Sequence, residues 1–249
     1  MTAQDLKNSI LQQAIQGKLL PQNPNDEPAS ELLKKISAER QKLIDEGKIK
    51  NPPQLPPISD TEKPFDIPDS WQWVRLGEIL RVINGDRGKN YPAKTLLRSS
   101  GEIPFISAGN ISNKTISKNN LLYVTEEQFN KLNSGKLKIN DLVLCIRGSL
   151  GKNCIYPFQK GAIASSLVIL RIYIENISTL KFISKYLDTL LFNEEIHKYD
   201  NGTAQPNLAA QNVLKFLFPL PPLAEQKRIV EKLEELLPLC DGVREKFED

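Results

Sequence analysis

The chain has 249 residues, 40% hydrophobic and 25% charged, an ordinary balance for a soluble globular protein that admits a real core in one sizeable domain or two small ones. No apolar stretch approaches the roughly 18 to 20 residues that span a bilayer, and the polar start MTAQDLKNS lacks a basic segment followed by an apolar one, so the cytoplasm is the expected compartment and a membrane role is excluded. The net charge of +3 hides a partition: residues 71–173 hold 15 Lys and Arg against 6 Asp and Glu, whereas residues 1–47 hold 6 against 7 and residues 221–249 hold 5 against 8. A basic middle between acidic flanks is the electrostatic footprint of a polyanion-binding unit.

In chain order, Thr2 with Asp5 forms a capping-box-like start, and Leu6, Ile10, Leu11, Ala14 and Ile15 keep helical spacing as far as Gly17. A second helix is predicted from Asp26 or Ser30 through Leu32, Leu33, Ile36, Leu43 and Ile44, with Gly47 as its stop. Six prolines between Lys48 and Asp69 favour an extended, semi-rigid strap that serves as a linker. Strand-like runs follow at Trp73–Val82, Ile103–Ser107, Asp141–Arg147, Asn153–Tyr156 and Leu167–Ile174, with predicted helices at Thr125–Leu132 and Ser178–Lys198. Strands first and helices after argue for an α+β fold rather than a doubly wound parallel sheet.

The run from Phe216 to Leu220 reads as a buried edge or terminal strand, stopped by Pro219, Pro221 and Pro222 because proline cannot donate to a ladder. After the prolines the period changes from 2 to 3.6. Leu223, Ile229, Val230, Leu233, Leu236, Leu237, Cys240 and Val243 fall on one stripe, with Glu225, Lys227, Arg228 and Glu231 off it. Such a stripe needs a partner helix, and Pro238 is a candidate kink within it. Cys145, Cys154 and Cys240 are odd in number and lack CxxC spacing, which points to buried free thiols rather than disulfides or metal ligands.

GTAQ followed by PLPPLAEQKRIVEKLEEL and LCD, together with WQWVRLGEI, IPFISAGNI, RGSLGKN and the N-terminal LKNSILQQAIQGKLLP and NDEPASELLKKI, resembles the DNA-specificity subunits of type I restriction-modification enzymes over nearly the whole chain. Each motif alone is weak; their order is what identifies the family. The resemblance implies an N-terminal helical arm at 1–47, the strap at 48–69, a target-recognition domain at 70–221 and a spacer helix at 222–249. It implies duplex DNA, methyltransferase subunits and ATP-dependent restriction subunits as partners, with S-adenosylmethionine, ATP and magnesium held by those partners. In the family, the helix that opens like 223–249 continues into a segment like 5–20. Two copies pairing through Leu6, Ile10, Ile15, Ile229, Leu233, Leu236 and Leu237 would then rebuild a pseudo-symmetric subunit.

Catalytic motifs fail on inspection. Asn51-Pro52-Pro53-Gln54 lacks the aromatic that an adenine methyltransferase stacks on the base, and no Gly-rich cofactor turn accompanies it. Around Gly151-Lys152, Asn153 stands where a phosphate loop needs Ser or Thr, and Ile146 where it needs the leading Gly. The nuclease-like fragments Glu46-Gly47-Lys48 and Pro68-Asp69 occur in the wrong order, and the single histidine, His197, sits late on a helix as a cap or surface group. The expectation is a binding protein with no catalytic residues, metal or cofactor of its own.

Three stretches mix cations with short polar groups, as reading DNA requires: phosphate contacts position, and contacts to base edges specify. They supply Arg87, Lys89, Asn90 and Lys94 from Gly85–Arg98; Asn110, Ser112, Lys114 and Lys118 from Asn110–Asn120; and Arg147, Lys152 and Asn153 from the Arg147–Asn153 turn. Gly202, Thr203, Gln205 and Asn207 are expected to brace the junction between domain and helix instead. Two other readings stay open from sequence: the recognition arm of a single-chain adenine methyltransferase, and a coiled-coil scaffold that binds other polyanions.

Overall fold

A computed structural model of the chain describes residues 2–200, 202 and 206–245, the stretch 241–245 by backbone alone. In chain order its first elements are α1 (Ala3–Ile15), α2 (Ala29–Asp45), β1 (Gln72–Arg75), α3 (Leu76–Ile79), β2 (Leu80–Asn84), β3 (Ile103–Ile106), β4 (Ile111–Ser112) and β5 (Thr115–Ile116). Then come β6 (Leu122–Val124), α4 (Glu126–Lys131), β7 (Lys136–Lys138), β8 (Leu142–Cys145), β9 (Asn153–Ile155), β10 (Lys160–Ile163) and β11 (Leu167–Ile172). The last are α5 (Ile177–Tyr186), α6 (Leu190–Tyr199), α7 (Ala210–Val213), β12 (Leu217–Leu220) and α8 (Leu223–Glu245). The fold is α+β. Its two compact units are discontinuous in sequence: Met1–Ile79 with Tyr173–Glu195 and Lys215–Asp249, and Leu80–Ile172 with Ile196–Leu214. Residues 70–79, 173–195 and 215–221, which the sequence places in a recognition domain, thus group with the terminal helices.

In the first unit, α1 starts on the expected box: the Asp5 amide donates to Thr2 Oγ1 at 3.1 Å and the Thr2 amide to Asp5 Oδ2 at 2.8 Å. Gly17 and Gly47, just past α1 and α2, take φ of +69° and +67°, the left-handed conformation that ends a helix at glycine. The stripe of α8 finds its partners within the chain, where α1 and α5 both pack against it. Ile15, Ile229 and Leu233 are buried there, while Leu6, Ile10, Leu236 and Leu237 are half-buried and Leu239 is exposed. The side chain of Val243 lies outside the described residues.

Glu225 departs from its expected place on the polar face. It is 1% exposed and accepts from Trp71 Nε1 at 2.8 Å and from Gln22 Nε2 at 2.6 Å. Its neighbour Gln226 is also buried, taking a 2.7 Å bond from Thr179 Oγ1 and giving one of 2.8 Å to the Pro221 carbonyl. A polar residue near a helix start can be buried when the segments around it supply its partners. β1 and β12 pair antiparallel, so 217–220 is a strand; Pro219, expected to help stop it, lies inside it facing Trp73, and only Pro221 and Pro222 follow its end.

The Pro-rich strap is pinned. Arg75, 2% exposed, donates to the carbonyls of Pro56 and Pro57, each at 3.2 Å, to that of Lys215 at 2.8 Å, and to both carboxylate oxygens of Glu62. Arg75 also marks where the single strand expected over Trp73–Val82 breaks. Its amide donates to Glu78 Oε1 at 2.7 Å and α3 begins, so that β1 and β2 join different sheets. The helix expected over Ser178–Lys198 is likewise two, because the buried Thr189 hydroxyl donates to the Tyr186 carbonyl and accepts the Phe192 amide, ending α5 and starting α6.

The second unit carries two four-stranded sheets, in the orders β6-β3-β10-β7 and β2-β11-β8-β9. The second is antiparallel throughout, and the first is mixed through the parallel pair β3 and β10. Ile106, Leu137 and Ile163 of one share a buried cluster with Val143, Cys145, Cys154 and Ile169 of the other. Cys145 and Cys154 are thus buried thiols, as is Cys240 in α8. β6, β7 and β10, each three or four residues long, escape the sequence reading.

Candidate nucleic-acid interface

Of the cations in the chain, 15 fall in the second unit against 6 carboxylates, net +9; the totals of 33 and 30 leave 18 against 24 for the first unit, net −6. Several of the carboxylates are engaged. Asp141, 1% exposed, holds Arg171 through both oxygens, and Glu126 and Glu127 pair with Lys160 and Lys131. Lys89, Lys94, Lys118 and Lys152 are exposed and make no ion pair among the described residues. Their field is therefore not neutralised locally.

Two of the candidate stretches meet at one short segment, Ala164–Ser166, between β10 and β11, the second of them through Ile146 just ahead of Arg147. Arg87 donates to the Ser165 carbonyl at 3.1 Å and the Ile146 amide to the Ser166 carbonyl at 3.0 Å, while Gly85 lies against the Ala164 carbonyl so closely that a Cβ would come within 2.8 Å of it. The Asn110–Asn120 stretch joins through Lys114, whose ammonium donates to Asn153 Oδ1 at 2.6 Å. That stretch is mostly a hairpin: β4 and β5 are joined by Asn113 and Lys114 at φ of +47° and +62°, the pair of positive values that tight hairpin turns use.

Arg147 is exposed at the start of the turn between β8 and β9, with Gly148 and Gly151 at φ of +78° and +82°. Its Nε donates to Asn207 Oδ1 at 3.3 Å, and the Gly148 amide to the Pro206 carbonyl at 2.9 Å. Asp200 accepts the Asn207 and Gly202 amides at 2.9 Å each, contacts that hold its carboxyl below the usual range. Pro206 and Asn207 therefore brace the Arg147 turn within this unit, while Gly202 bonds to Asp200. Thr203 and Gln205 lie outside the described residues.

Two candidate base readers are corrected. Asn110 is 5% exposed, with its Oδ1 taking the Ser107 amide at 3.0 Å and the Ser107 hydroxyl at 2.8 Å as the cap of a short 3-10 turn. Asn153 is 4% exposed, its Nδ2 on the Gly151 carbonyl and its Oδ1 on Lys114. Asparagine suits a loop tip and a cap equally, and burial decides between them. Arg87, Lys89, Lys94, Ser112, Lys118, Arg147 and Lys152 are exposed, and Asn90 and Lys114 are half-buried. The sequence reading missed Asp86, 6% exposed, which accepts the Gly88 and Asn133 amides at 2.7 Å each; the first of these bonds contributes most to holding its carboxyl below the usual range. The Asp-x-Gly spacing of an Asx turn was its only local signal.

Among the described residues no group of three or more His, Cys, Asp or Glu could hold a metal ion, and no helix is long and apolar enough to cross a membrane. His197 is exposed in the last turn of α6.

The family model for the type I restriction modification DNA specificity domain matches residues 68–243. The chain is 34% identical to the type I restriction enzyme EcoAI specificity subunit of Escherichia coli, over 96% of this chain and 40% of that protein. It is 33% identical to the Escherichia coli EcoEI specificity subunit, over 98% of this chain and 42% of that protein. It therefore spans about two fifths of the length of these curated relatives. Among solved structures, the HsdS subunit from Thermoanaerobacter tengcongensis shares the fold with a TM-score of 0.56 and 19% identity, over 88% of this chain and 47% of that one. A chain from a structural study of complex assembly and conformational transition of the type I R-M system gives 0.57 and 18%, over 88% and 49%. The ordered motifs, the α+β fold and these matches agree: the chain belongs to the type I restriction-modification DNA specificity family.

Proposed function

We propose that the chain selects the DNA sequence for a type I restriction-modification system: its second unit reads one half of a bipartite duplex target, and its helices dock methyltransferase subunits and, through them, the restriction subunits. The observation that carries this reading is the charge partition. A unit of net +9 presents exposed lysines, without carboxylate partners among the described residues, on three loops joined by hydrogen bonds to Ala164–Ser166 or to one another. Counterion release from phosphates is the main source of affinity for such a surface, and base contacts from the same loops supply selectivity.

The chain itself carries out no catalysis in this proposal. S-adenosylmethionine, ATP and magnesium belong to the partner subunits, and the assembly works in the cytoplasm. The half-buried Leu6, Ile10, Leu236 and Leu237, with exposed Leu239, support pairing of two copies through α1 and α8. A dimer by light scattering at micromolar concentration is expected, and a monomer counts against the pairing alone.

The deciding experiment combines the purified chain with its methyltransferase partner on genomic DNA and maps methylated adenines. Methylation at one defined bipartite sequence is expected. Methylation that does not depend on the chain, or that follows no sequence, defeats the reading.

A further inference from the structure

Asp86 is a buried carboxylate that makes no ion pair among the described residues. Its oxygens are taken by main-chain amides from two loops, Gly88 in its own and Asn133 in the one between α4 and β7. The same junction is tightened by Ser134, whose hydroxyl donates to the Asn84 carbonyl at 2.6 Å. It also holds two glycines in mutual contact. Gly135 has φ of +75°, and a Cβ on it would come within 2.8 Å of the Gly85 Cα. At the other end of the loop, Tyr91 packs edge-on against Phe105 with ring centroids 5.8 Å apart, and its amide donates to the Gly88 carbonyl at 3.0 Å. The loop is thus fastened on both sides of Lys89.

From this geometry we infer that Asp86 is a positioning residue that pre-forms the Arg87–Lys94 loop for phosphate contact in the free protein. The inference rests on the proposal that the second unit binds duplex DNA. Because the Asp86 charge is spent on main-chain amides, the carboxylate orders the loop without pairing Arg87, Lys89 or Lys94. Loop ordering that precedes binding is not charged against affinity, whereas an unfastened loop must be ordered by the DNA.

The two possible effects of Asp86 on binding have opposite signs. If the carboxylate acted only through its charge, Asp86→Asn would tighten binding to a polyanion; if it positions the loop, Asp86→Asn weakens binding. Affinity of the full chain for a mixed-sequence 30-base-pair duplex is measured between 50 and 200 mM salt. Lys89→Ala/Lys94→Ala is expected to lower the slope of log affinity against log salt by about 1.8, two phosphate contacts at about 0.9 each. Asp86→Asn is expected to lower the slope in the same direction and to weaken binding at least fivefold at 100 mM salt. Its effect is expected to shrink in the Lys89→Ala/Lys94→Ala background to the part that Arg87 carries.

Unchanged or tighter binding by Asp86→Asn, or an unchanged slope in the lysine double variant, overturns the inference. Wild-type protein with no salt-dependent duplex binding refutes the DNA reading itself. If Asp86→Asn does not fold, hydrogen exchange of the wild type decides. Gly88 and Asn133 amides at least tenfold slower than in an unstructured chain, before DNA is added, support a pre-formed loop. Fast exchange that slows only on adding duplex overturns it.

Discussion

The indole N–H of Trp71 donates to Glu225 Oε2 at 2.8 Å, joining residues 154 positions apart at sites 2% and 1% exposed. Both belong to the first unit, where this bond fastens the segment leading into β1 to the first turn of α8. Trp71→Phe keeps the packing against Phe182, removes the donor, and leaves Glu225 with Gln22 alone. A loss of about 1–3 kcal/mol is expected in urea unfolding, the usual cost of orphaning a buried polar group.

Burial raises the Glu225 carboxyl above its ordinary 4.5, and the bonds from Trp71 and Gln22 only partly oppose this. A carboxyl with a raised folded-state pKa contributes stability that is fully present below 4.5 and lost as pH rises through the folded value. The stability of the wild type minus that of Glu225→Gln should therefore be greatest in mild acid and shrink toward neutrality. A difference that grows with pH would reverse the assignment.

Glu62 behaves oppositely. The Ser59 amide first, and then Arg75, lower its carboxyl from 4.5 to about 2. Its contribution is present above 4.5 and lost as pH falls through about 2, and Glu62→Gln should remove that part of the acid limb. Arg75→Ala goes further, leaving three carbonyls and the half-buried Glu62 carboxylate without their donor. About 1–3 kcal/mol is expected, together with faster proteolysis of residues 48–69.

Asn110→Ala separates folding from reading. Because its side chain is spent on Ser107, the variant should lose about 1 kcal/mol of stability, as for a lost cap, with duplex affinity unchanged per folded molecule. Arg147→Ala should do the reverse, keeping the thermal midpoint and weakening the cognate site more than about tenfold at moderate salt. Arg147 is exposed and its side-chain bond to Asn207 is long, at 3.3 Å, so little folding energy rests on it.

Leu233→Ala should cost about 2–5 kcal/mol, because Leu233 is fully buried where α1 and α5 meet α8. Leu239→Lys, at a position 64% exposed, should leave the midpoint of the isolated chain nearly unchanged. If two copies pair through this face, the same change should lower the apparent mass by light scattering.

Local chemistry was legible in the residues themselves. The Thr2–Asp5 cap, the stops at Gly17 and Gly47, the strand ended by Pro221 and the stripe of α8 each depend on neighbours within a few positions, so short-range geometry determined them. The charge partition and the ordered motifs carried the family in the same way, since both are properties of composition and order. What covers a face is different, because it depends on segments far apart in the chain. Only the tertiary structure decided that α1 and α5 cover α8, that Glu225 is buried against Trp71, that Arg75 pins the strap, and that Asn110 and Asn153 are spent on main-chain and lysine partners. Hydrogen bonds spanning up to 203 positions leave no periodic trace, and a polar residue that will be buried and satisfied has the same letter as one that stays in water.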